Sequence, residues 1–76
     1  MNQTHQAQAK IESFKLQLWG AMQLNQKEKM AATNAYLACR EIGVNKVRND
    51  PDFNKNRGFQ AGVMEFEFSQ AVFASL

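Results

Sequence analysis

Through the first forty residues, apolar and polar positions follow a helical rhythm. Between Thr4 and Ile42 there is no proline and one glycine, Gly20, amid dense Ala, Gln, Leu, Lys and Glu, a composition that favours helix. Steps of 100° per residue place Ile11, Phe14, Leu18, Ala21 and Met22 on one stripe, with Trp19 at its margin. Glu12, Ser13, Gln17 and Gln23 face away, and Leu16 and Leu24 fall outside the stripe. Gly20 weakens a helix by about 1 kcal/mol relative to Ala, so close approach of another backbone is expected there.

Asn25-Gln-Lys-Glu28 has the spacing of a capping box, in which the Asn side chain takes a free amide and the Glu reaches back to the cap. It predicts a break near Asn25 rather than one helix running to Ile42. The second helix, about Gln26 to Ile42, should end at Gly43, where a residue with positive φ is wanted. Its apolar face, Ala31, Ala35, Ala38, Cys39 and Ile42, is mostly small, which predicts close antiparallel packing on the first helix. Met30 and Leu37 lie on the other side.

Residues 43–58 then turn polar, with four Asn, two Asp and the only proline between Val44 and Gly58. This segment reads as a loop, in which Asp50 before Pro51 is suited to cap a short helix. In the tail, helical spacing puts Phe59, Val63, Phe66 and Phe73 on one stripe and Met64, Phe68, Ala71 and Val72 on the opposite one, with Glu65, Glu67 and Ser69 between. Met64 to Phe68 also alternates with the period of a strand, but a lone strand has no sheet to join. A helix with two apolar faces needs two surfaces to cover them.

Size sharpens that demand. A chain of 76 residues buries only about 60% of the surface its unfolded form exposes, so a staple or partner is expected. With one cysteine and one histidine, neither a disulfide framework nor a four-ligand zinc site can supply it. Self-association, most simply a homodimer, or a larger protein partner remains. Hydrophobic residues at 45% against 21% charged indicate a folding chain. The polar, Gln-rich start has no apolar signal core, and no run approaches the roughly 18 apolar residues of a membrane span; the expectation is a cytoplasmic protein without a membrane partner.

Catalytic equipment is sparse. His5 lies in the polar N-terminal segment, with no acid or nucleophile nearby in sequence. Glu65 and Glu67 are two apart, which on a helix points them roughly 160° from each other and reads as a solvated face. Cys39 sits among small apolar residues, a setting for an inert buried thiol. Asp50, Asp52, Asn54 and Asn56 alternate like the start of a calcium loop, but the sixth position from Asp50 is Lys55 rather than Gly and the twelfth is Ala61 rather than Glu. Gly20, Gly43, Gly58 and Gly62 are too scattered for a phosphate loop. Neither an enzyme nor a cofactor or metal is expected.

Leu37 to Val44 resembles the first helix and turn of a helix-turn-helix unit, with Cys39 four residues before Gly43 and Ile42 and Val44 flanking that glycine. The resemblance covers eight residues; beyond it Asn49 stands where an apolar anchor belongs, and Pro51 follows. Lys46, Arg48, Lys55 and Arg57 nevertheless gather cations within twelve residues, and a net charge of +2 is too mild for a general polyanion binder.

The sequence therefore predicts a single all-α domain over 1–76: a disordered or frayed terminus over 1–6, a small helical hairpin, a polar loop over 43–58 and a C-terminal helix whose second apolar face docks on a second copy of the chain or on another protein. Phe59, Met64, Phe66, Phe68 and Phe73 are the expected partner-binding residues, since aromatic residues and Met concentrate in interface cores. The function expected is stoichiometric binding as an inhibitor, adaptor or assembly factor, a style common among small phage and plasmid accessory proteins. The alternative is a small DNA-binding regulator using Lys46, Arg48, Lys55 and Arg57.

Overall fold

The computed structural model describes residues 3–76, all of whose regular structure is helical: α1 (Gln3–Met22), α2 (Gln26–Ile42), α3 (Val44–Arg48), a 3-10 turn (Pro51–Asn54) and α4 (Arg57–Ala74). Helix α1 starts at Gln3, so the frayed terminus expected over 1–6 is helical from that residue on; Met1 and Asn2 lie outside the described residues.

The break at Asn25 is built from both sides. At the end of α1 the Leu24 amide donates to the Trp19 carbonyl and the Gln23 amide to that of Gly20, each at 3.1 Å, the pairing of a Schellman motif. Gln23 holds the left-handed position at φ 53°, and Leu24 folds back beside Trp19 into the core. Leu24 lies off the helical stripe because it is past the helix end. One residue later the capping box closes, Glu28 N–H donating to Asn25 Oδ1 at 2.8 Å and Asn25 N–H to Glu28 Oε1 at 2.9 Å.

The helices do not pair as expected. The largest interface joins α2 to α4, and α1 also packs on α4, while the α1 and α2 backbones stay apart. Helix α4 is therefore the central element. Tyr36 meets Phe66 as Glu28 meets Gly58, so α2 and α4 run parallel. Trp19 bonds Glu65 whereas Ala7 and Lys10 lie by Val72 and Ser75, so α1 runs antiparallel to both.

Small residues explain the choice of partner. A methyl group added to Gly62 would stand 2.7 Å from Ala35 Cβ and strike the Ala32 carbonyl, and one added to Gly58 would strike the Glu28 carbonyl. Four apart, these glycines lie on one face of α4 and let it close on Ala32 and Ala35, both buried. Gly20, by contrast, has nothing near it, so the close approach expected there is absent. Ala21 and Ile42 are exposed rather than buried, and α2 turns Ala32, Ala35 and Cys39 inward.

Each apolar stripe of α4 is covered in part within the chain, while Met64, Ala71 and Phe73 stay exposed. Phe59, Val63 and Phe66 pack with Cys39, Val47 and Phe53. On the other stripe Phe68 stacks on Phe14, centroids 4.1 Å apart and planes 7° from parallel. The demand for an outside surface is thus met in large part by α1.

The stretch 43–58, expected as a loop, is mostly folded. Gly43 ends α2 at φ 97°, α3 buries Val47, and Asp50 Oδ1 accepts from the Asp52 amide at 2.9 Å to cap the 3-10 turn at Pro51. Asn56 then caps α4 through the Phe59 amide at 3.2 Å. Asp50 and Asn56, two members of the calcium-like alternation, thus serve as caps.

Candidate functional site

Because α1 and α2 stand apart above α4, their seam is a groove. Its wide end, about 720 Å³, lies between the N-terminal half of α1 and the C-terminal half of α2. Tyr36, Phe66 and Phe73 supply aromatic surface, and Glu12 and Arg40 supply charge. The Tyr36 and Phe66 rings meet edge to face at 5.9 Å, which fixes both. Phe73 is 42% exposed at this end. Ile11, Glu12 and Tyr36 continue into a narrower pocket of about 170 Å³ that reaches Lys15, Thr33 and Glu65.

Glu65 sits at the base of that pocket, 4% exposed, and its Oε2 accepts from Trp19 Nε1 at 2.8 Å. The solvated face expected for Glu65 and Glu67 holds at Glu67, which is exposed, and is overturned at Glu65, which is buried; Ser69 is buried as well, its Oγ donating to the Phe66 carbonyl at 2.8 Å. Burial pushes the Glu65 carboxyl above the ordinary range; the Trp19 hydrogen bond and the Lys15 charge oppose this, while Glu12 adds to it. Burial likewise pushes the Cys39 thiol up, with the Arg48 guanidinium opposing, the setting of an unreactive thiol.

Compared with known protein families, curated proteins and solved structures, the chain matches none. Its own geometry is what distinguishes its surfaces.

The five expected partner-binding residues are dispersed. Phe66 and Phe73 line the wide groove. Phe59 packs edge to face on Phe53 at 5.9 Å and borders a second groove of about 340 Å³ beside Ala38, Ile42 and Val47. Phe68 is held in its stack with Phe14, and Met64 is exposed on α4. Tyr36, Arg40 and Glu65 did not stand out in the sequence. For Glu65 the available signal was position: it lies on α4 between Ala61 and Ser69, at the four-residue spacing of a buried face.

The four expected nucleic-acid contacts are all exposed, but they do not sit on a recognition helix. Helix α3, which follows the Gly43 turn, has five residues and ends at Arg48, too short to continue for the three turns such a helix needs. Arg48 is ion-paired with Glu67, and Lys46 borders the second groove.

Proposed function

We propose that this protein is a non-enzymatic, stoichiometric binding module, an inhibitor, adaptor or assembly factor that seats a helical segment of a larger protein in the groove between α1 and α2. One observation carries the reading: two neighbouring helices are held apart over a third, leaving a trough with aromatic surface from Tyr36, Phe66 and Phe73. A fourth helix laid there would complete a bundle, the arrangement by which amphipathic helices are commonly recognised. Arg40 and Glu12 at the edges would set its orientation more than its affinity.

The test is affinity capture from lysate of the source cells, with and without nuclease, using wild type and Phe73→Asp. A near-stoichiometric protein that survives nuclease and is lost with Phe73→Asp is the expected result. Capture unaffected by that change removes the groove from the reading.

DNA binding stays the alternative on the strength of exposed Lys46, Lys55 and Arg57 around α3 and the 3-10 turn. It predicts nucleic acid in the eluate and steep salt dependence. The short α3 and the pairing of Arg48 with Glu67 count against it.

A further inference from the structure

The groove holds a group that a purely structural seam does not need. A buried neutral side chain at position 65 could accept the Trp19 hydrogen bond without the desolvation that a carboxylate suffers. Glu65 is instead ionisable, with Oε2 on Trp19 Nε1. The cation acting on it, Lys15, is already engaged: its ammonium pairs with Glu12 at 2.9 Å and lies 5.0 Å from the centre of the Trp19 ring. Glu12, Lys15 and Glu65 together leave this part of the groove with a net negative charge.

The pocket that Glu65 lines has the volume of a side chain. At about 170 Å³ it has room for roughly six water molecules, the bulk of an alkylammonium or alkylguanidinium. Ile11 and Tyr36 give it apolar and aromatic walls and Thr33 a polar one. An apolar stem with a cationic tip matches that order of surfaces. The pocket opens into the wide groove, sharing Ile11, Glu12 and Tyr36 with it, so an occupant of the groove reaches Glu65 with one long side chain.

We infer that Glu65 is the anchor for a lysine or arginine carried by the partner's helix, an assignment that rests on the protein-binding reading above. The pocket and the groove also fix what accompanies that residue. Arg40 lies one helical turn beyond Tyr36 on α2, so the bound helix carries its basic residue at the Glu65 end, an apolar residue over Tyr36 and Phe66, and an acidic residue facing Arg40. These three fall on one face at spacings of three or four residues.

The experiment uses helix-forming peptides selected from a random display library against the full chain. The enriched peptides are titrated into wild type, Glu65→Gln and Phe73→Ala, following the fluorescence of Trp19, the only tryptophan; circular dichroism checks that each variant is folded. The expected peptides share one lysine or arginine, lose at least tenfold in affinity for Glu65→Gln, and lose as much when that residue becomes norleucine. The two changes together should cost little more than either alone, the signature of a direct pair. Peptides weakened by Phe73→Ala but binding Glu65→Gln as well as wild type would overturn the anchor and leave the groove standing. Selection that yields only peptides indifferent to both changes would overturn the groove and the anchor together.

Discussion

Two seams meet on α4, and they are built from opposite materials. Against α2 it offers Gly58 to the Glu28 backbone and Gly62 to Ala32 and Ala35, so backbone meets backbone and no side chain fits between. Between α1 and α2 the facing residues are long, aromatic or charged, and the backbones stay apart. Dispersion and desolvation favour the first arrangement at every atom, whereas the second leaves aromatic surface wet and a carboxylate buried. One seam is finished by the chain itself; the other has the composition of a surface that something else finishes.

The sharpest way to break the contrast is to fill the closed seam. Gly62→Val should destabilise by about 3 kcal/mol, the upper end for overpacking, because the new side chain meets the Ala32 backbone rather than a movable side chain. Against roughly 4 to 11 kcal/mol of total stability for a chain this size, thermal or urea unfolding will resolve it easily. An unchanged midpoint would mean that the seam is loose and the contrast false.

A smaller effect sharpens the open side. The folded-state pKa of Glu65 is raised by burial, so between the ordinary glutamate value of about 4.3 and that raised value the native state holds more protons than the unfolded one. Its contribution is therefore full at low pH and is lost as pH rises through the window. Glu65→Gln should remove this falling component, retain an acceptor for Trp19 and melt at a higher temperature than wild type at pH 7. The pH profile of the difference between the two proteins is the measurement; a difference that grows in the opposite sense would show a carboxylate stabilised where it stands.

The smallest expected effect lies in the turn that separates α1 from α2. Gln23 adopts φ 53°, a region that costs a side-chain-bearing residue about 1 kcal/mol or more. Gln23→Gly should raise stability by roughly 0.5 to 1 kcal/mol, after the added freedom of the unfolded glycine is subtracted. Thermal melts compare the two, and destabilisation would mean that the Gln23 side chain is needed to hold the helices apart.

These seams differ also in how far the sequence disclosed them. Local signals were legible because they act over a few residues: Asn25 and Glu28 closed their capping box, Gly43 took positive φ, and Asp50 capped at Pro51. Of the stripe expected on α1, Ile11, Phe14, Leu18 and Met22 are partly buried and Ala21 is exposed, while Ala7, the one fully buried residue of that helix, lay outside it. Pairing was not legible, since alanines at helical spacing show that something packs closely and not which helix does. The deciding hint, Gly58 four residues before Gly62, concerns mutual fit, and it gains meaning only beside Ala32 and Ala35. The aromatic tail misled in the same way: Phe68 has helical spacing whether it meets Phe14 or another protein. The groove itself is a space between elements, to which His5 through Phe73 contribute from three helices, and periodicity within one helix cannot outline it.

The central position of α4 has a consequence for the order of assembly. Trp19 and Glu65 are 46 residues apart, and α1 and α2 share little with each other. While the chain is being made, the first two helices emerge without the surface that holds them. Short isolated helices are marginal in water, so their apolar stripes stay uncovered until Arg57–Ala74 has left the ribosome, and consolidation comes late and all at once.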